Sequence, residues 1–203
     1  MSASMNRPRP IFRGHIASTT DALVLFGACL SGSLKHIPRR IHNHEYQDLI
    51  RSGNVFIYEE HSSGIKIWTD GVSWSPRYSL GNFDIYRELE DPFSSAIDPG
   101  VGGKYAAHAP SSSPIDLCPL KPKGLVKKTI SITLQGITHH LVSYYNVDDL
   151  LSRRLTTPTK DQTLRHTIPR PSHIASQSFQ VPIGEEYNME ERQLVQLDSE
   201  SFF

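Results

Sequence analysis

"GLVKKTISITLQGITHHLVSYY", residues 124–145, is the stretch on which the reading of this chain turns. Ile130, Ile132 and Leu134 alternate with Thr129, Ser131 and Thr133, the period-two pattern of a strand with one apolar face. Gln135-Gly136 supplies a tight turn, and a second strand runs on through Leu141 to Tyr145. The second half of the chain is therefore organised around a β-hairpin. "NVDDLLSRRL" then reads as a short helix capped by Asn146, and "SFQVPI", 178–183, as one further strand.

Upstream, "NVFIYEE" (54–60) and "FDIYRELE" (83–90) have the β-branched and aromatic content of strands. Phe83, Ile85 and Arg87 fall on one face of the latter and Tyr86 on the other. Two helices are expected before them. The first is capped by Ser18 or Thr19, carries Asp21 in its first turn, runs through the apolar Ala22–Leu30 and stops at Gly32. The second is "RRIHNHEYQDLIRSG", ending at Gly53. Residues 91–120 are rich in Pro, Gly and Ser and read as a linker. Residues 184–203 read as an acidic, mobile tail. This gives a first half at 11–90, the linker at 91–120, a second half at 121–183 and the tail at 184–203.

With 203 residues there is room for one large domain or two small ones. No apolar run reaches the roughly 18 residues of a membrane span, and "MSASMNRPRPIF" lacks the core of a secretory signal, so a soluble, intracellular protein is expected. Cys29 and Cys118 are too few for a disulfide framework or a cysteine-rich zinc site, and Cys29 reads as a buried small hydrophobe. The formal net charge is zero, but it is unevenly spread. Residues 121–170 hold nine Lys/Arg against three Asp/Glu, and residues 171–203 one Arg against six Asp/Glu. A basic body and an acidic end point toward an anionic partner.

Signatures of catalysis are missing. There is no G-x-S-x-G, no H-E-x-x-H and no GxGxxG. "PGVGGK" fails as a phosphate loop because Asp98 and Tyr105 stand where Gly and Ser/Thr are required. His42 with His44, and His139 with His140, lack the cysteine or acidic companions of a metal site. Neither catalysis, metal nor cofactor is expected.

The segment joining the two upstream strands is "SGIKIWTDGVSWSP", 63–76, which contains both tryptophans of the chain. In one reading Trp68 and Trp74 are folded-down anchors of a long connection. In the other, the loop is stiffened so that Lys66, Thr69, Ser73 and Arg77 meet a ligand. The two are compatible.

The runs "FRGHIASTTDALVLFGACLSGSL", "LIRSGNVFIYEE", "SGIKIWTDGVSWSP", "YREL", "GLVKKTISI", "HHLVSYY" and "LSRRLTTPT" occur in order over residues 12–90 and 124–159. In them the chain resembles the WOPR family of fungal DNA-binding transcriptional regulators. The resemblance implies an α+β fold of two β-rich halves interlocked into a single DNA-binding unit with a few short helices. It implies a nuclear regulator of fungal development or morphology that recognises AT-rich double-stranded DNA partly through the minor groove, alongside other transcription regulators. The groove-entering loop corresponds to residues 64–77. A·T minor grooves are narrow, negative and lined with acceptors, which suits Lys66, Thr69 and the backbone N–H of Gly71. Trp68 would stiffen the loop, and Ser73 and Arg77 flank it. Lys127 and Lys128, with Arg153 and Arg154, suit phosphate contacts, as do Arg13, Arg39 and Arg40.

The chain departs from the family at two points. The family loop typically reads Lys-Arg-Trp-Thr-Asp-Gly, whereas Ile67 takes the arginine position here. A Ser-Arg pair typically follows the second tryptophan, whereas Arg77 and Tyr78 are displaced in "SPRYSLGNF". Loss of a minor-groove guanidinium costs about 1–3 kcal/mol of discrimination. It also removes a basic residue that helps define a kinase site at Thr69. The alternative function is a paralogue with weakened DNA binding, acting as a protein-interaction or dominant-negative module.

Overall fold

A computed structural model describes residues 8–90 and 119–183. Six strands form one antiparallel sheet: β1 (Phe12–Arg13), β2 (Asn54–Glu59), β3 (Tyr78–Leu80), β4 (Phe83–Arg87), β5 (Leu125–Leu134) and β6 (Ile137–Asn146). Their order is β1-β2-β6-β5-β4-β3. The expected hairpin is β5–β6, in register from Leu125↔Asn146 to Leu134↔Ile137. Gln135 and Gly136 both take positive φ, 52° and 78°, the turn whose twist matches the flanking strands.

The order of strands explains how the halves interlock. The hairpin of the second half is inserted between two strands of the first: β6 pairs with β2, and β5 with β4. Neither half has a complete sheet alone. Removing the hairpin leaves β1–β2 and β3–β4 as two-stranded fragments, which are marginal in water.

The two faces of the sheet differ in what covers them. Val55, Ile57, Phe83, Ile85, Val126, Ile130, Ile132, Leu141 and Tyr145 point to one side. There they pack with Ile16, Ala22, Val24, Leu25, Phe26 and Ala28, most of them from α1 (Thr19–Leu30). Cys29 is buried with them, and burial pushes its thiol up to about 12. The helix begins as expected. Ser18 Oγ accepts from Asp21 N–H at 3.2 Å while Asp21 Oδ2 accepts from Ser18 N–H at 3.1 Å, closing a capping box. Phe56, Tyr58, Val142 and Tyr144 face the opposite side, where Ile37, Ile41, Leu49 and Ile65 complete a second, smaller cluster.

Several expected bounds shift. The helix expected over 39–53 reduces to a 3-10 turn, Asn43–Glu45, and α2 (Tyr46–Leu49). A side chain replaces the first helical turns: Glu45 accepts two bonds from the Arg39 guanidinium, at 2.9 and 2.8 Å, and one from His42 N–H at 2.9 Å. The strand at 54–60 gives up Glu60 to α3 (Glu60–Ser63), and that at 83–90 ends at Arg87. Asn146 does cap α4 (Val147–Leu151), its side chain accepting from Asp148 N–H at 2.8 Å. A last short helix, α5, covers Pro171–Ala175. "SFQVPI" is not a strand; Asn82 holds it to the body through both main-chain polar groups of Val181, at 2.9 and 3.0 Å. The expected linker, but for Pro119 and Leu120, and the expected tail lie outside the described residues.

Candidate nucleic-acid interface

The 64–77 loop starts where α3 ends, at Gly64 with φ 67°, and crosses the second face of the sheet before β3. Its regular backbone pairing is confined to its end, where Trp74 bridges Glu88 with Ser75 N–H donating to Arg87 O at 2.8 Å and Leu89 N–H to Ser73 O at 2.9 Å, so side chains must hold the rest. They do so around one carboxylate. Asp70 is buried, 4% exposed. Its Oδ1 accepts from Trp74 Nε1–H at 2.9 Å and Val72 N–H at 3.3 Å. Its Oδ2 accepts from Tyr144 Oη–H at 2.7 Å and Lys127 Nζ at 3.1 Å. Tyr144 Oη in turn accepts from Trp68 Nε1–H at 2.6 Å. Both indole donors of the chain are thus spent on one hydrogen-bonded network.

The rings add to it. Trp68 stacks on Tyr58, centroids 5.4 Å apart, and tilts against Phe56 at 5.5 Å. Trp74 lies 5.9 Å from Tyr144. The Lys127 ammonium sits 4.4 Å from the Trp74 ring centroid and 5.0 Å from that of Tyr86. Burial of Tyr144, together with the Asp70 charge beside it, raises its phenol well above the ordinary value, so it stays a donor. Burial lowers the Lys127 pKa, and Asp70 opposes that shift.

Trp68 and Trp74 are therefore anchors, and the network fixes what the loop presents. Lys66, Ile67, Thr69, Gly71 and Ser73 are exposed, whereas Ile65, Trp68, Asp70 and Trp74 turn inward. Gly71 has φ 73°, and a Cβ there would lie 2.6 Å from the Tyr46 ring, so this position demands glycine on two counts.

Register places other cations on the same face. Phe12 belongs to the helix-side core, so Arg13, the next residue of β1, points to the loop side and is exposed. Arg77, exposed, bonds Asp84 of β4 at 3.2 Å on that face. These two arginines mark opposite edges of a sheet roughly 24 Å across, taking about 4.8 Å per strand. Arg40 is exposed in the connection after α1.

Three of the anticipated phosphate contacts are otherwise engaged. Lys128 is 1% exposed on the helix side, its Nζ donating to Ile16 O at 2.7 Å and lying 4.1 Å from the Phe83 ring centroid. It is a core residue, not a surface cation. Lys127 belongs to the Asp70 network. Arg39 is committed to Glu45, whose carboxyl it holds down at about 2. Arg153 and Arg154 are exposed beyond α4, Arg154 bonding Asp149 at 3.1 Å. Asp70, Tyr144 and Tyr58 are the residues that sequence reasoning missed. As for the histidines, His139 is buried on the helix side. His140 faces the loop side, held by Ser131 Oγ at 2.6 Å and Glu60 at 2.8 Å.

The sequence model of the Gti1/Pac2 family matches residues 11–113 and 101–146. The chain belongs to the Gti1/Pac2 family, which is the WOPR family. It is 42% identical to "Global transcription regulator sge1" of Verticillium dahliae over 97% of this chain and 48% of that protein. It is 45% identical to the Gibberella fujikuroi protein of the same name, over 87% of this chain and 64% of that one. The chain thus spans about half to two thirds of the length of these curated relatives. To "cAMP-independent regulatory protein pac2" of Schizosaccharomyces pombe it is 33% identical, covering 78% of this chain and 79% of that protein. Among solved structures, the WOPR domain of Wor1 from Candida albicans in complex with 13-bp double-stranded DNA superposes with a TM-score of 0.65. It is 33% identical and covers 85% of this chain and all of that one. No helix among the described residues of this Gti1/Pac2 chain is long and apolar enough to cross a membrane.

Proposed function

We propose that this chain is a DNA-binding transcriptional regulator that acts in the nucleus without catalysis and docks its loop face on AT-rich duplex. The 64–77 loop enters the minor groove; Lys66, Thr69, Ser73 and the backbone of Gly71 supply its donors. Arg13 and Arg77 contact phosphate from the two edges of the sheet. The observation that carries the reading is the Asp70 network: a loop whose backbone pairs with the sheet at its Trp74 end is held rigid by side chains over the rest, with its cation and hydroxyls outward. Donors fixed before binding lose little freedom on binding. A relative of similar fold, solved in complex with double-stranded DNA, supports the same partner. The regulators among its relatives support control of gene expression, and we assign it to fungal development or morphology.

The test is binding to a randomised duplex library at two salt concentrations. Selection of AT-rich sites, with affinity falling steeply as salt rises, is the expected result. Lys66→Ala should weaken binding about fivefold to tenfold at unchanged melting temperature. Absence of sequence preference, or affinity indifferent to salt, refutes the reading. Ile67 motivates the competing one, a paralogue with weakened DNA binding. It wins if the native chain fails to bind and Ile67→Arg binds.

A further inference from the structure

Two residues of the loop are held out between two buried anchors. Ile65 is 1% exposed in the second cluster, and Trp68 is fastened to Tyr144 and stacked on Tyr58. Lys66 and Ile67 bridge them, and Ile67 is 70% exposed. An isoleucine so far in water next to a lysine has no reason in the packing of this chain. Its backbone is fixed at both ends, so it cannot fold back. We infer that Ile67 is an apolar wedge: Lys66 is drawn into the negative minor groove, and the Ile67 side chain is pushed between two base pairs and kinks the duplex. The inference rests on the DNA-binding reading above and adds what the loop does to the DNA.

The chemistry selects this occupant. The chain neighbours Lys66 and Thr69 are exposed, and the shallow pocket that Ile67 borders is lined by Lys127, Thr129, Ser131 and His140 besides aromatic rings, a cation-and-hydroxyl surround that matches a polyanion better than an apolar protein surface. Apolar side chains inserted from the minor groove unstack one step and bend the helix toward the major groove. The bend opens the minor groove at the unstacked step, which lets the 64–77 loop with Lys66 and Thr69 seat more deeply in it. Ile67 carries no hydrogen-bonding group, so it reads deformability instead of base edges. The preferred step is a pyrimidine–purine one, TA or CA, because those unstack most readily. TA steps are also compatible with an AT-rich site.

The experiment uses a selected duplex labelled at both ends, with bend read by energy transfer and affinity by titration. The proteins are native, Ile67→Ala and Ile67→Arg. Native protein should bend the duplex by tens of degrees, within the range of about 20–90° for such wedges. Ile67→Ala should lose most of the bend and bind about fivefold to tenfold more weakly, with its salt slope unchanged. Ile67→Arg should bind without the bend, gain about one in salt slope, and shift its preference from TA or CA steps to A-tracts. A native complex with straight DNA, or an Ile67→Ala complex as bent as native, overturns the wedge while leaving DNA binding intact. Native protein that does not bind DNA overturns both.

Discussion

Two buried aspartates, one on each side of the sheet, tie the two halves of this chain together, and they do it with different chemistry. Asp21, on the helix side, is fully buried and bonds only neutral donors. These are Ala17 N–H, Ser18 N–H and Ser18 Oγ at 3.1 Å, with Thr159 N–H at 3.1 Å and Thr159 Oγ1 at 2.7 Å from the second half. It works at a helix N-terminus, where the dipole favours negative charge. Asp70, on the loop side, bonds an ammonium, a phenol and an indole, two of the three from the second half. Asp21 sits where the regular core already orders the chain. Asp70 sits in a loop whose regular backbone pairing is limited to the Trp74↔Glu88 bridge. The first should matter to the whole molecule and the second to the loop.

Asp21→Ala tests the first half of that contrast and should have the largest effect. It removes a cap, worth ~1 kcal/mol, and strands several buried donors at about 1–3 kcal/mol each. A global loss of ~4 kcal/mol in denaturant titration is expected. Asp70→Asn should cost somewhat less, about 3 kcal/mol, because the shape is kept while the Lys127 charge, its side chain 11% exposed, is left without its partner. The loss should be concentrated in the loop, and DNA affinity should fall more than tenfold while the far-ultraviolet spectrum of the sheet persists. Gly71→Ala keeps the Asp70 network but adds a left-handed penalty of ~1–2 kcal/mol and a clash with Tyr46. It should displace the loop, lowering affinity with a stability loss of about 2 kcal/mol.

Acid sharpens the same contrast at a third carboxylate. Glu45 is held at about 2, below its ordinary 4.5, chiefly by the Arg39 hydrogen bonds. A depressed carboxyl contributes stability that is present above the unfolded value and lost as pH falls through the folded one. Stability should therefore drop between about pH 4.5 and 2 as Glu45 takes up a proton, and Glu45→Gln should flatten that part of the profile. Lys66→Ala, on the exposed rim, should change stability by less than about 0.5 kcal/mol and affect only binding.

Local structure was legible where local chemistry decides it. The Ser18–Asp21 box, the Gln135-Gly136 turn and the alternation of β5 are each set by residues within a few positions of one another. The family and its α+β class were also legible, carried by long ordered runs. The fate of the lysine pair was half written: continuing the alternation of Ile130, Ile132 and Leu134 backwards puts Lys128, not Lys127, on the buried face. What made it tolerable there, the Ile16 carbonyl, is 112 residues away. The Asp70–Tyr144 bond spans 74 positions and depends on β6 lying beside β2, which no local pattern states. The overlong second helix failed for a related reason, since Arg39 and Glu45 close a turn by side chain where periodicity implied backbone bonds.

Both tryptophans lie in the loop, so their fluorescence reports on it alone, while far-ultraviolet circular dichroism reports on the sheet and α1. The decisive measurement is thermal melting of native protein and Asp70→Asn followed by both signals. The two transitions should coincide in the native protein. In Asp70→Asn the tryptophan transition should move well below the dichroism transition, with emission already red-shifted at room temperature. If the two signals still melt together in Asp70→Asn, or neither moves, the loop is not held by Asp70 and the account of a prefixed DNA-reading loop is wrong.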